Sequence, residues 1–283
     1  MGLDTAVLYI VATPIGNLAD MVPRAVEVLQ SADLVAAEDT RHSQRLFSHF
    51  SIETPLVAYH DHSDDQRTTK ILQRLEQGQT VALISDAGTP LISDPGYRLV
   101  REARERGIKV VPIPGPCAFV AALSAAGLPS DRFTFEGFLP AKPLAREKAL
   151  QALAAETRTM VFYEAPHRVL DTLETMRQVF GDTREAVIAR ELTKAFETIH
   201  QLPLAELVEW VRADSNQQRG EIALLVRGAA ERKSSELDAE AERVMKLLLA
   251  ELPPKRAAAV AAEITGVNKK LLYNWSLGQK YGF

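Results

Sequence analysis

Residues 81–96, Val-Ala-Leu-Ile-Ser-Asp-Ala-Gly-Thr-Pro-Leu-Ile-Ser-Asp-Pro-Gly, constrain the fold of this chain more than any other stretch. Val81 to Ile84 read as a buried strand. They run straight into a segment of Gly, Pro, Asp, Ser and Thr that is too rich in turn formers to be a helix or a strand. Backbone N–H and C=O groups left unpaired there must find other partners. In an α/β protein, a strand that ends in such a loop is where small charged ligands dock.

The same punctuation recurs along the chain. Leu8 to Ala12 reads as a strand ending in Thr13-Pro14-Ile15-Gly16-Asn17. Leu34 to Ala37 ends in Glu38-Asp39-Thr40-Arg41-His42, and Lys109 to Ile113 in Pro114-Gly115-Pro116-Cys117. Helices are expected over Pro23–Ser31, Arg67–Gln77, Tyr97–Arg106 and Ala118–Ala126, the last three followed by Gly78, Gly107 and Gly127. This β-loop-α alternation implies a mostly parallel sheet with helices on its faces. Gly127, Pro129, Gly137 and Pro140 mark 127–140 as a crossing into a second α/β region. There a strand over Thr159–Tyr163 ends in Glu164–His167. A helix over Arg168–Val179, a strand over Glu185–Ala189, a helix over Leu204–Arg212 and a strand over Ile222–Val226 follow.

The expected organisation is therefore an N-terminal α/β domain (1–126), a C-terminal α/β domain (127–228), a polar linker (229–236) and a helical tail (237–283). In the tail, helices over Pro254–Glu263 and Lys269–Leu277 meet at Gly266-Val267-Asn268, with Asn268 as a cap, a pattern like a helix-turn-helix. Lys255, Arg256, Lys269, Lys270 and Lys280 give it a local basic surface. RNA contact and a helical hairpin packed on a dimer are equally open readings of the tail.

Composition excludes several classes. The net charge of −4 argues against a surface that binds nucleic acid everywhere, and leaves room for a local patch. One cysteine, Cys117, excludes an internal disulfide and fits a reducing cytoplasm. Neither an apolar run of about 18 residues nor a signal-peptide pattern is present, so no membrane segment is expected. Gly-x-Gly-x-x-Gly at the first strand and Gly-x-x-x-x-Gly-Lys-Ser/Thr are absent, which argues against dinucleotide and triphosphate chemistry. No cluster has zinc spacing. His60 and His62 lie in a polar loop without cysteines, so no metal is expected. Cys117 reads as a packed small residue rather than a nucleophile.

Six strings carry a resemblance: Thr-Pro-Ile-Gly-Asn (13–17), Ala-Asp-Leu-Val-Ala-Ala-Glu-Asp-Thr-Arg-His (32–42), Ser85 to Gly96, Pro-Gly-Pro (114–116), Phe-Tyr-Glu (162–164) and Arg-Glu-Leu-Thr-Lys (190–194). In order, they resemble the tetrapyrrole methylase superfamily, and within it the branch that 2′-O-methylates a cytidine of 16S ribosomal RNA. Superfamily members acting on porphyrin precursors carry Gly-Asp-Pro where this chain has Gly88-Thr89-Pro90, which tilts the reading towards RNA.

The resemblance implies two α/β domains of the tetrapyrrole methylase type with an S-adenosylmethionine cleft between them, usually in a homodimer, acting on 16S RNA or the small ribosomal subunit. It implies Pro14, Gly88, Thr89, Ile92, Cys117, Ala118, Glu164, Leu192 and Ile222 as cofactor-binding residues, with Asp86 and Tyr163 close by. A ribose hydroxyl holds its proton tightly at neutral pH, so a base or a cation that stabilises the alkoxide should help. The candidates are Glu38 and Glu191 as base or orienter, and Arg41, Arg190 and Lys194 as cationic stabilisers or phosphate clamps. The plainer alternative is that these charges pair with one another. A tetrapyrrole or other small-molecule methyltransferase, and a non-catalytic ribosome-binding protein, are the other functions weighed.

Overall fold

A computed structural model describes residues 6–60, 65–230 and 239–281. Its N-terminal half alternates β1 (Val7–Val11), α1 (Pro23–Ser31), β2 (Leu34–Ala37), α2 (Thr40–His49), β3 (Leu56–Ala58), α3 (Asp65–Glu76), β4 (Val81–Ile84), α4 (Tyr97–Glu105), β5 (Lys109–Ile113) and α5 (Ala118–Ala125). The strands form one parallel sheet in the order β3-β2-β4-β1-β5. Both faces are covered, which is why its central strands read as unbroken apolar runs. Tyr9, Val11, Ala82 and Ile84 pack on α1 and α2 through Val28, Leu29, Leu46 and Phe47. Leu8, Ala36 and Leu83 pack on α3 and α4 through Ile71, Leu75 and Leu99. Because all five strands are parallel, the loops after β1, β2, β4 and β5 leave from one edge.

The chain continues through β6 (Phe133–Phe138), α6 (Pro143–Ala152), β7 (Thr159–Glu164), α7 (Val169–Phe180), β8 (Glu185–Arg190), β9 (Thr198–Pro203), α8 (Leu204–Ala213) and β10 (Ile222–Val226). This second sheet has the order β6-β7-β10-β8-β9. Only β6 and β7 pair in parallel; the other pairs are antiparallel, so this sheet, unlike the first, is mostly antiparallel. The cause is the connection from β8 to β9, a short loop without the helix that a parallel crossover requires. α6, α7 and α8 cover one face through Leu150, Leu173, Met176 and Leu207. The other face, with Val161, Val187, Ala189 and Leu225, is covered by Ala122, Leu123 and Ala126. Helix α5 thus packs on the second sheet although it follows the first in sequence. Residues up to Ala229 form one compact unit.

Two local expectations are corrected. Residues 127–140, read as a crossing, contain β6, with a bulge between Phe135 and Gly137. The polar string 38–42, read as a loop, enters α2: the Asp39 carboxylate accepts hydrogen bonds from the N–H groups of Arg41 (2.8 Å) and His42 (3.4 Å) and caps the helix.

The second compact unit begins at Ala230 and contains α9 (Ala239–Glu251), α10 (Pro254–Thr265) and α11 (Lys269–Tyr281). Ala257, Ala258 and Ala261 of α10 let the helices approach closely, against Val244, Met245 and Leu272. Gly266 closes α10 in the left-handed conformation at φ 70°. The Asn268 side chain accepts from Lys270 N–H at 2.8 Å and caps α11. Lys255, Asn268, Lys269, Lys270 and Tyr273 border a surface concavity. The Lys280 side chain, His62 and residues 231–236 of the expected linker lie outside the described residues. Among the described residues, no helix is long and apolar enough to cross a membrane.

Candidate active site

A cleft of about 340 Å³ opens where the carboxyl edge of the first sheet meets the second sheet. Four of the strand-end strings converge on it. They supply Ile15, then Ala87, Gly88, Thr89, Ile92, Ser93 and Asp94, then Cys117, and then Glu164, Ala165 and Pro166. Ala118, Phe138, Tyr163, Ala189, Leu192 and residues 220–223 complete the lining.

Backbone hydrogen bonds join these loops. Thr13 N–H donates to Gly88 O at 2.9 Å, and Gly88 N–H returns the bond to Thr13 O at 3.0 Å. Gly88 has φ 84°, and a Cβ there would stand 3.3 Å from Ile15 Cγ2, so the position favours glycine twice over. The Thr89 hydroxyl donates to Pro116 O at 2.9 Å and ties the β4 loop to the β5 loop. An ionised Asp in its place has no proton to donate. Across the cleft, the Tyr163 hydroxyl accepts Phe119 N–H at 3.1 Å and fixes the first turn of α5 to β7. Phe135 and Phe138 pack on the Tyr163 ring, with centroids 4.9 and 5.6 Å away.

Of the residues singled out for cofactor binding, Gly88, Thr89, Ile92, Cys117, Ala118, Tyr163, Glu164, Leu192 and Ile222 line the cleft. Pro14 and Asp86 do not. Pro14 lies between Thr13, which bonds Gly88, and Ile15, which lines the cleft. The Asp86 carboxylate accepts Asp39 N–H at 2.9 Å and links the ends of β4 and β2. Glu164 is buried with both carboxylate oxygens engaged. Oε1 takes hydrogen bonds from Ala165 N–H (2.7 Å) and Arg168 Nε (2.8 Å), and Oε2 takes one from the Thr172 hydroxyl (2.6 Å).

The charged candidates divide between the two sheets. Glu38 is half-buried just past β2, and Arg41 is exposed in the first turn of α2. Glu191 and Lys194 pair with each other, Nζ to Oε1 at 2.8 Å, and Lys194 also reaches Glu221 at 3.1 Å. Burial opposes ionisation of Glu191, but hydrogen bonds from Lys194 and Glu221 N–H, with the Lys194 and Arg190 charges, hold its carboxyl below its ordinary range. The Lys194 stem lies on Gly16, where a Cβ would come within 2.5 Å of Lys194 Cγ. Arg190 is buried and does not line the cleft. Its guanidinium bonds Gln217 (3.2 Å), Phe196 O (3.1 Å) and the Thr198 hydroxyl (3.1 Å).

Asp94 lines the cleft, and the sequence reading did not single it out. Burial pushes its carboxyl up to about 6 against a lowering hydrogen bond from Ser85, and the charges of Glu38 and Asp86 add to the rise. Burial also pushes the Tyr163 phenol up, with smaller contributions from Cys117 and Asp94.

Comparison with known proteins agrees with this architecture. A family profile described as Tetrapyrrole (Corrin/Porphyrin) Methylases matches residues 7–208. A second, described as RsmI C-terminal HTH domain, matches residues 235–280. The chain is 62% identical over 276 residues to a Pseudomonas aeruginosa protein named ribosomal RNA small subunit methyltransferase I, covering 97% of this chain and 98% of that one. It is 58% identical to the Escherichia coli O157:H7 protein of the same name, over 96% of this chain and 95% of that one. Among solved structures it resembles cobalt precorrin-4 methyltransferase (TM-score 0.58, 17% identity, 78% of this chain and 95% of that one). It also resembles a Thermus thermophilus uroporphyrin-III C-methyltransferase complexed with S-adenosyl homocysteine (TM-score 0.54, 16% identity, 78% and 96%). At these identities the two structures bear on the fold alone.

Proposed function

The chain belongs to the tetrapyrrole methylase family, and from that premise we propose that it transfers a methyl group from S-adenosylmethionine to the ribose 2′-oxygen of a cytidine in 16S ribosomal RNA. The observation that carries the cofactor assignment is the cleft itself. Its volume falls in the range of about 300–1,000 Å³ typical of small-molecule sites, and its lining is largely apolar with a few polar groups. Gly88 admits close approach of a ligand to backbone. The N-terminus of α5, capped by Cys117 without a side-chain bond, offers N–H groups to a carboxylate. The Tyr163 ring suits a sulfonium cation. These features fit S-adenosylmethionine, which supplies an electrophilic methyl group when bound. Pro14 and Asp86 shape the loops behind the residues in contact.

RNA as acceptor is supported by 62% identity over 97% of the chain to a protein named for small-subunit ribosomal RNA, and by the basic concavity of the tail. Exposed Val120, Phe133, Phe138, Leu144 and Phe196 support a homodimer, and the single cysteine a cytoplasmic setting. Within the site, Glu38 orients the acceptor and Arg41 clamps a phosphate at the rim of the first sheet. Glu191 and Lys194 act as a fixed pair at the rim of the second sheet, and Arg190 holds that rim in shape. Purified Glu38→Gln and Arg41→Ala should lose most transfer to small-subunit RNA while calorimetry shows unchanged S-adenosylmethionine affinity. Near wild-type turnover in both would end this assignment.

A further inference from the structure

Catalysis at a ribose hydroxyl needs somewhere for its proton to go, and the cleft offers few places. Among the described residues, the titratable side chains that line it are Asp94, Cys117, Tyr163, Glu164 and Glu221. Glu164 is fully engaged by Arg168, Thr172 and Ala165. Glu221 is largely exposed and paired with Lys194. Tyr163 already accepts a hydrogen bond from Phe119, and its phenol is shifted away from ionisation. Cys117 caps α5.

Asp94 differs from all four. It makes no ion pair with a cation among the described residues. It follows two non-glycine residues with positive φ, Leu91 (72°) and Ser93 (63°), a conformation that residues other than glycine adopt at a cost. Gly96, at φ 132°, closes the turn where a Cβ would meet Leu83 Cδ2 at 2.7 Å. The loop is thus held in an unfavourable shape, and that shape presents Ser93 and Asp94 to the cleft.

We propose that the Asp94 carboxylate accepts the proton of the acceptor hydroxyl in the transfer, an assignment that rests on the function proposed above. The ribose oxygen forms its new bond to the methyl carbon as the carbon–sulfur bond breaks. Sulfur keeps the electron pair and becomes a neutral thioether. The hydroxyl proton passes to an Asp94 oxygen and from there to solvent. The groups that face Asp94 are Ser85 and Asp86 beyond β4, Glu38 beyond β2, and Tyr163 on β7. Burial raises its proton affinity most, the Ser85 hydroxyl lowers it and the two carboxylates add a smaller rise, so that at about 6 it is ionised at neutral pH yet basic enough to take a proton.

Single-turnover transfer to small ribosomal subunits, measured from pH 5 to 8, tests this. In wild type the rate should rise with pH to a plateau, with a midpoint near 6. Asp94→Asn should fall by roughly 100-fold or more and lose that limb, a loss within the range for general-base removal. Its S-adenosylmethionine affinity by calorimetry should be unchanged. Glu38→Gln should move the midpoint to lower pH, because it removes a neighbouring negative charge. An Asp94→Asn rate within a few-fold of wild type overturns the proposal. So does a loss explained by weakened cofactor binding, which would make Asp94 a cofactor ligand. If Asp94→Asn does not fold, infrared titration of the wild-type carboxyl without cofactor decides instead: a midpoint near 6 supports the assignment and one near 4 refutes it. Absence of transfer by wild type that binds S-adenosylmethionine refutes the proposed function rather than the role of Asp94.

Discussion

Asp94 couples the cleft to the stability of the fold. Its carboxyl lies at about 6 in the native protein against 3.8 unperturbed, so the folded chain holds a proton over a window in which the unfolded chain has released it. Stability therefore falls as pH rises from about 4 to about 6 and stays lowered above. Asp94→Asn should stabilise the protein at pH 7.5 by on the order of 1 kcal/mol, a figure reduced for partial solvent screening, with the gain vanishing near pH 4. Denaturant melts at the two pH values check this; a pH-independent difference contradicts it. Asp94 belongs to the most informative stretch of the sequence, yet its special environment was not legible there. Ala37 and Ile84 are register partners in adjacent strands, and only that pairing brings Glu38, beyond one strand end, beside the loop that follows the other. Gly88 and Thr89, named through the family resemblance, do line the cleft.

At the scale of elements, what could be read depended on which faces are buried. β2, β4 and β10 are buried along their length, and their apolar runs gave their bounds directly. β3 and β9 are edge strands of partial burial: β3 is an apolar run of only three residues, Leu56–Ala58, and β9 mixes polar with apolar residues. α2 buries only Ser43, Leu46 and Phe47 in ten residues, so its polar sequence resembled a loop. The Glu164 network shows how such elements are joined at the site. It binds the end of β7 to the start of α7 through Arg168 and Thr172, while Arg168 also reaches Leu139 O at 3.0 Å. Glu164→Gln strands a largely buried guanidinium and should cost about 3 kcal/mol. It should also lower S-adenosylmethionine affinity as the cleft wall loosens. Thermal unfolding and calorimetry test both; a variant with wild-type stability would show that the network is not holding β7 and α7 together.

At the scale of the whole molecule, the cleft belongs to the unit that ends at Ala229 and the basic concavity to the unit that begins at Ala230. Deleting 237–283 should leave folding and S-adenosylmethionine affinity unchanged and weaken RNA binding. Lys269→Ala and Lys270→Ala should each reduce the slope of log affinity against log salt by about 1. Unchanged RNA affinity with loss of the dimer would assign the tail to dimerisation instead. The tail's helix-turn-helix pattern was legible in its alanines, Gly266 and Asn268. Its partner was not, because a handful of surface lysines serves either role. The central claim, methyl transfer to a ribose of small-subunit RNA, is tested most directly by mass spectrometry. Small subunits from cells lacking this protein would be incubated with the purified chain and isotope-labelled S-adenosylmethionine, and the 16S RNA digested to nucleosides. Labelled 2′-O-methylcytidine is the predicted product; label on a base, or none in RNA from a protein that binds the cofactor, would contradict the account.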